Sequence, residues 1–336
     1  MGGDTELDER KAAILKAVVE EYIETALPVG SSSVTRSTNL SVSSATVRNE
    51  LVSLETEGFL QQPHTSAGRV PTDKGYRYFV DSVGNARLGR PESRQVLEFF
   101  TDVRGEIEDL LRETAGLLSN LTDHAAVVVD QSADAAIVRS VQLVSLAERV
   151  ALAVVVFSNG VVEKHTLEFD EVVDESALDQ IGRAVHDAVD GRTLAQASAP
   201  QSTGDARLDS LVVRVMGLLG VVTNEADRVY VDGASRVASG FDAVDSVKRV
   251  LTILEQQLIV VNVLADVLDR GLNVAIGTET GVERLEECSV VVSPYLIDGE
   301  QAGSIAVLGP TRMNYPQAMA AVAVVSRQLG QRLSDG

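Results

Sequence analysis

The feature that most restricts how this chain can fold is the order of segments in its first 82 residues. Apolar side chains recur every three or four residues over 8–26 and again over 43–57, on either side of a short helical segment at 31–38 and a turn at 39–42. Two extended pieces follow within 59–71, and a further helix is expected to begin at Thr72. Helices joined by a tight turn and followed directly by a hairpin predict a winged helix-turn-helix.

The helix that begins after Ser43 has the chemistry of a helix that reads bases in the major groove. Val47 faces inward, and the outer arc carries small and polar residues together with Arg48 and Asn49. Arginine pairs with guanine and asparagine with adenine through two hydrogen bonds each, so both side chains are predicted base contacts. A helix of this shape could instead bind protein. The other predicted DNA contacts, on phosphates, the sugar backbone or the groove edges, are Arg36, Ser43, Ser44, Thr46, His64, Ser66 and Arg69.

Charge is distributed unevenly along the chain. The whole chain has 29 basic and 49 acidic side chains, a formal charge of −20, which taken alone argues against a nucleic-acid partner. Residues 1–90 hold 10 basic and 12 acidic side chains, whereas the remaining 246 residues hold 19 and 37. Chance variation between domains could give such counts. If the asymmetry is functional, the N-terminal segment contacts DNA with few neutralised phosphates, and the acidic remainder faces away.

The rest of the chain predicts a body of helices and antiparallel strands, after a linker at 87–92. The fold class is therefore α+β and multidomain, with a segment at about 170–245 that interrupts the sheet. Apolar stripes at 96–121 and 247–268 fit either dimer helices or packing inside one domain. The predicted helices are 93–121, 175–189, 206–222, 246–269 and 314–333, and the predicted strands are 138–146, 149–157, 161–169, 229–231, 273–277, 289–297 and 302–308.

Several function classes find no support in the sequence. The four histidines are scattered without zinc-binding spacing, and no P-loop or nucleophile elbow occurs, so no enzyme, metal or cofactor is predicted. The single cysteine, Cys288, excludes an internal disulfide and is expected to be a small buried hydrophobe. No signal peptide is visible and the longest apolar runs have 8 residues, which predicts a cytoplasmic protein with no membrane partner.

Two parts of the sequence resemble a known family. The run Ala45–Leu51 reads ATVRNEL, Gln62–Arg77 reads QPHTSAGRVPTDKGYR, and Leu308–Tyr315 reads LGPTRMNY. These runs are similar to the two signatures of the HrcA heat-inducible transcription repressors of bacteria. The resemblance implies a homodimer that binds an inverted-repeat operator, the CIRCE element, upstream of heat-shock chaperone genes, and whose activity is modulated by the GroE chaperonin.

The resemblance also implies a division of the chain. It places a winged-helix DNA-binding domain at 1–86, a linker at 87–92, a GAF-like domain at 93–169 and 246–336, and an inserted dimerisation domain at 170–245. Two other functions stay open. GAF domains often hold a small ligand, so a metabolite sensor could use Glu279, Arg284 and Arg312, although packing and assembly alone would explain the domain. A chaperonin-associated adaptor could use the N-terminal unit only for protein contacts.

Overall fold

The chain is a mixed helix-and-sheet protein. Its computed structural model describes residues 7–37, 43–65, 67–84, 86–103, 106–130, 137–158, 162–225, 228–236, 241 and 244–334. The N-terminal unit of residues 7–84, hereafter the head, follows the predicted order of elements. These are α1 (Glu9–Thr25), α2 (Ser31–Ser37), α3 (Ser44–Thr56), β1 (Leu60–Gln61), β2 (Val70–Pro71) and α4 (Asp73–Ser82).

Local signals account for the boundaries of the head's helices. The side chains of Asp8, Ser43 and Thr72 accept backbone N–H bonds at the starts of α1, α3 and α4, as capping residues do. Gly58, with φ +80°, follows the end of α3 and turns the chain into the hairpin, where β1 pairs antiparallel with β2. The predicted turn at 39–42 lies outside the described residues.

The remaining elements build two further sheets. They are α5 (Arg90–Asp102), α6 (Ile107–Thr122), β3 (Ala125–Asp130), β4 (Val138–Ala147), β5 (Val150–Phe157), β6 (Val162–Glu168), α7 (Glu175–Val189), α8 (Ala206–Glu225), β7 (Arg228–Asp232), α9 (Val244–Glu255), α10 (Gln257–Asp269), β8 (Val274–Ile276), β9 (Cys288–Ile297), β10 (Glu300–Pro310) and α11 (Tyr315–Ser334). A five-stranded antiparallel sheet has the order β7-β3-β10-β9-β8, and a separate three-stranded antiparallel sheet has the order β4-β5-β6.

Helices cover both faces of the five-stranded sheet, and together they form the body. Along β3, Ala126 and Val128 face the core shared with α6 and α11, whereas Val127 and Val129 face the core shared with α9 and α10. A strand buried on both faces carries a continuous apolar run, which explains the composition of β3. The core on the α6 and α11 side continues into the head, so the head is packed directly on the body.

The three-stranded sheet belongs to a separate unit, hereafter the insert, of residues 138–225. Its inner face packs on α7 and α8, with Ala153 and Val155 buried. In sequence the insert lies between β3 and β7, which are paired neighbours in the five-stranded sheet. The outer face of the insert's sheet is apolar along its central strand, β5, and carries Gln142, Lys164 and Thr166 on the two flanking strands. No described element covers it. Its apolar residues are Val144, Leu146, Val150, Leu152, Val154, Val156 and Val162, all exposed or half-buried.

This topology corrects the predicted limits of the insertion, 170 and 245. The three strands predicted at 138–169 pair only with one another among the described residues, whereas the strand near 229–231 returns to the main sheet as β7. The strand β3 was not predicted, because a short apolar run after a helix does not by itself distinguish strand from helix. The predicted linker at 87–92 also ends early, since α5 begins at Arg90 with a proline in its first turn.

The two long predicted helices are each broken into two. The helix expected at 93–121 stops at Val103, whose backbone is extended (φ −62°, ψ 127°), and the sequence there includes Gly105, which weakens a helix interior. The helix expected at 246–269 breaks at Gln256 (φ −90°, ψ 75°). Their apolar stripes are largely buried inside the chain, which favours the intradomain alternative over dimer helices.

No single helix in the described part of the chain is long and apolar enough to cross a membrane. Only Val247–Glu255 and Ile259–Asp269, counted together and bent by 92°, reach that length and composition.

Candidate nucleic-acid interface

One face of helix α3 is open to solvent, because the apolar stripe on its opposite face packs into the core of the head. Val47, Leu51 and Leu54 are buried in the core that the head shares with the body. The Ser43 hydroxyl accepts a hydrogen bond from the Thr46 backbone N–H (3.1 Å) and caps the helix. The start of α3 is therefore fixed, and the direction of its outer arc is determined by the core.

The outer arc of α3 carries side chains that are free to meet a ligand. Arg48 and Asn49 are exposed, and neither has a hydrogen-bond or ion-pair partner among the described residues. Ser44 is also exposed, with its hydroxyl 3.1 Å from that of Ser31 on α2. Thr46 is half-buried, and its hydroxyl lies 3.0 Å from that of Ser43.

The two acidic residues of α3 and the glutamate at its C-cap are neutralised on the other sides of the helix. Glu50 pairs with Arg10, Glu55 with Arg69 (2.8 Å) and Glu57 with Lys11 (2.5 Å). The hydrogen bonds that Glu57 accepts from Lys11 and Ser53 lower the pKa of its carboxyl group. The three negative charges of the helix and its C-cap are thus compensated by three positive ones, whereas Arg48 has no such partner among the described residues. The outer arc is consequently electropositive although the chain is strongly acidic.

The hairpin tip is held close to the rest of the head. The Gln62 side-chain amide donates to the carbonyl oxygens of Thr65 (3.1 Å) and Ala67 (2.9 Å), which shapes the tip and leaves His64 exposed. The base of the tip pairs with Val29, and a Cβ atom on Gly68 would lie 2.4 Å from the Val29 carbonyl oxygen. Only glycine allows this approach.

Arg69 and Arg36 differ in how exposed their guanidinium groups are to a ligand. The Arg69 side chain is only 14% exposed, and its guanidinium group faces Glu55. In this structure Arg69 ties the hairpin to α3, and its contact with the DNA backbone stays a prediction. Arg36, near the end of α2, is exposed and has no ion-pair partner among the described residues. Ser66 lies outside the described residues.

Two residues of this surface were missed by the sequence analysis. Val52 is 48% exposed, and it lies one helical turn from Arg48 and Asn49 on the same arc. An exposed apolar side chain there can contact a thymine methyl group. Helical spacing from Arg48 could have identified Val52. Gln62 shapes the tip through hydrogen bonds to carbonyl oxygens only three and five residues further along the chain, but the residue type alone does not predict such bonds.

Of the residues considered for a ligand pocket in the body, Glu279 is engaged in another contact. The Glu279 carboxylate accepts hydrogen bonds from Arg77 of the head and from the Ile276 backbone N–H, so it belongs to the contact between head and body.

Cys288 is buried, which raises the pKa of its thiol to about 12. Within the described ranges, no group of three histidine, cysteine, aspartate or glutamate side chains is placed to hold a metal ion.

Comparison with known proteins gives consistent matches along the whole chain. A family model described as "HrcA protein C terminal domain" matches residues 108–319. The heat-inducible transcription repressors HrcA of Nocardia farcinica and Rhodococcus jostii are each 38% identical to this chain, covering 98% of it and 97% and 99% of their own lengths. A crystal structure of a hypothetical protein, 22% identical, superposes with a TM-score of 0.63 over 98% of this chain and 99% of the other, which supports the fold.

Proposed function

The chain belongs to the HrcA family of heat-inducible transcription repressors, and from this premise we propose that it represses heat-shock chaperone genes by binding an inverted-repeat operator as a homodimer. The observation that carries the proposal is the open, electropositive arc of α3. The two glutamates of α3 and the one at its C-cap are paired elsewhere, and Arg48 and Asn49 remain free among the described residues. We expect the protein to act in the cytoplasm, without cofactor or membrane partner.

In this proposal the head is a winged helix-turn-helix. Helices α2 and α3 form the helix-turn-helix, and the β1–β2 hairpin is the wing. Arg48 reads guanine, Asn49 reads adenine, and Val52 contacts a thymine methyl group. The phosphate and groove contacts come from Arg36, Ser43, Ser44, Thr46, His64 and Ser66, while Arg69 holds the wing in position through Glu55.

Gel shifts with an inverted-repeat operator test the base contacts. Each bidentate pair is worth about 1–3 kcal/mol of discrimination, so Arg48→Ala and Asn49→Ala should each lose roughly 5- to 150-fold in specific affinity. Arg94→Ala removes an exposed arginine of α5 in a surface ion pair with Glu98 and serves as the matched control, with unchanged binding. Full affinity and specificity in both α3 variants would refute the assignment.

We further propose that two chains pair through the outer face of the insert's sheet. Adjacent positions across the strands, Val144 with Leu152 and Val156 with Val162, extend the apolar row of β5 into a patch that is bordered by Gln142 and Lys164. Exposed apolar patches of this kind mark protein interfaces, and an inverted repeat requires a two-fold partner. The insert is then the dimerisation domain, at 138–225, and the body is the GAF-like domain.

A matched pair of substitutions tests this dimer surface. Val144, 46% exposed, lies on the outer sheet face, and Val213, 61% exposed, lies on α8. Val144→Asp would place a charge in the interface and should give a monomer in light scattering at micromolar concentration. Val213→Asp should remain dimeric. A dimeric Val144→Asp protein would place the dimer interface elsewhere.

Regulation by the GroE chaperonin is part of the same proposal. An unpaired chain would expose the apolar sheet face of the insert, the kind of surface that a chaperonin holds until the dimer forms. Purified repressor that has been incubated with chaperonin should therefore bind more operator than repressor incubated without it. Equal operator binding in the two samples would contradict this part of the proposal.

A small-metabolite sensor is the second candidate, because a cavity of about 660 Å³ lies between α11 and β9. Its lining includes Arg87, Asn273 and Arg327 beside apolar side chains. Calorimetry against a metabolite collection separates the two candidates. Tight binding that releases the operator would favour the sensor.

A further inference from the structure

The two sequence segments that carry the family signatures meet in space, where the head contacts the body. Tyr76 of α4 and Tyr315, the first residue of α11, are both buried, and their ring centroids lie 5.8 Å apart. The Tyr315 hydroxyl donates to the Thr311 carbonyl oxygen (2.6 Å) and lies 2.7 Å from the Ser289 hydroxyl. One wall of the contact is therefore the start of α11 and the turn before it.

Polar bonds join the same helix to the loop after β8. The Arg77 guanidinium group donates from Nε to Glu279 Oε1 (3.0 Å), from Nη2 to Glu279 Oε2, and also from Nη2 to the Val274 carbonyl oxygen (2.7 Å). Asp73 accepts bonds from the backbone N–H (3.2 Å) and the hydroxyl (3.1 Å) of Thr278. Two charged residues of α4, one turn apart, thus form hydrogen bonds to one short segment of the body.

The backbone conformation of the loop at Gly277 allows α4 to approach closely enough for these hydrogen bonds. Gly277 has a φ of +53°, and a Cβ atom there would lie 2.4 Å from Asp73 Oδ2. Any other residue at 277 would both strain the backbone and push α4 away. The Arg270 side chain also donates to the Glu279 carbonyl oxygen (2.7 Å) and braces the loop from within the body.

Within the head, α4 is bonded to the end of α3. The Thr72 hydroxyl donates to the Gly58 carbonyl oxygen (2.7 Å), and Lys74 Nζ donates to the Glu57 carbonyl oxygen (2.9 Å). A body that holds α4 therefore also holds α3 at a fixed angle.

We propose that the contact of Asp73, Tyr76 and Arg77 with residues 274–280 and Tyr315 fixes the distance between the two reading helices and so selects the half-site spacing of the operator. The inference rests on the proposed two-headed binding. These are positioning residues, which need not touch DNA. A head released from the body would still read its half-site but would meet the second half-site at a lower effective concentration.

The experiment measures binding of the full chain to a single half-site and to inverted repeats whose spacing varies in one-base-pair steps over a helical turn. The double variant Asp73→Asn/Arg77→Gln should bind the single half-site within about twofold of the natural sequence, lose about tenfold at the optimal spacing, and show a flatter spacing profile. Gly277→Ala, which opens the same contact from the body, should give the same profile. Arg94→Gln, which removes an exposed guanidinium group of α5 paired with Glu98, is the matched control.

The possible results separate the alternatives. An unchanged spacing profile in both contact variants overturns the positioning role. An equal loss on half-site and inverted repeat also overturns it, because the residues would then act only on head folding. If the natural sequence shows no preference for an inverted repeat over one half-site, the proposed two-headed function fails, and the positioning role fails with it.

Discussion

Substitution by phenylalanine should destabilise the protein at one of the two buried tyrosines of the head–body contact and not at the other. Tyr76 is 3% exposed and its hydroxyl has no hydrogen-bond partner among the described residues. Tyr315 is fully buried, and its hydroxyl has two. Burial raises the pKa of both phenols, so both are neutral at physiological pH. Tyr→Phe removes one oxygen atom in each case and leaves the ring packing in place.

The magnitudes follow from those bonds. A buried hydroxyl without a partner costs about 1–3 kcal/mol relative to water, so Tyr76→Phe should leave the free energy of unfolding unchanged or raise it by about 1 kcal/mol. Tyr315→Phe removes two bonds worth roughly 0.5–1.5 kcal/mol each and leaves Ser289 with a lost partner, so it should cost about 1–3 kcal/mol.

Urea unfolding followed by far-UV circular dichroism measures the difference, since the chain has no tryptophan for fluorescence. For the unfolding transition of the core shared by head and body, the midpoint urea concentration should be equal or higher in Tyr76→Phe. It should be lower in Tyr315→Phe. Comparable losses in both variants would refute the reasoning, because they would mean that the Tyr76 hydroxyl is bonded in solution.

Four other predictions follow from the structure. Arg69→Ala should destabilise the head by removing the partner of Glu55, yet leave the salt dependence of operator binding unchanged, whereas loss of a phosphate contact would reduce the slope by about one. The buried Cys288 thiol, with its pKa raised to about 12, should react with alkylating reagents at pH 8 only as fast as the protein unfolds, as mass spectrometry can follow. Burial lowers the pKa of His124, so the histidine binds a proton less readily in the folded chain than in the unfolded chain. The melting temperature should therefore fall as the pH drops below about 6.5, and it should fall less in His124→Gln. The logarithm of operator affinity should fall with the logarithm of salt concentration at a slope of about −2, because Arg36 is the open guanidinium group that each of the two heads is proposed to place on phosphate, and a slope near −10 would contradict this.

The sequence was informative where short-range signals determine structure. The limits of α1, α3 and α4 depend on capping side chains and on the glycine after α3, which lie next to the elements they bound. The exposure of Arg48 and Asn49 follows from helical spacing against Val47. Their contact with DNA remains a prediction.

Long-range contacts determine what the sequence did not reveal. β3 is a strand because it pairs with β10, whose residues are remote in sequence, and the insert is recognised only when β3 and β7 are seen to be neighbours. Arg69 was expected to face DNA because it is a lone basic residue at a hairpin, but Glu55 on another element determines its direction. No local pattern contains these partners.

The charge of the chain connects the reading helix to the geometry of the dimer. Pairing of Glu50, Glu55 and Glu57 leaves the outer arc of α3 positive. Among the predicted contacts of a head, only Arg36 and Arg48 remain as open guanidinium groups. Such a head can attract few phosphates, and the acidic body adds none, so a single head must bind weakly. Useful affinity then requires that both heads bind at once, which depends on their separation matching the operator. For this reason a contact that never touches DNA, between α4 and the loop after β8, can determine which operator is bound.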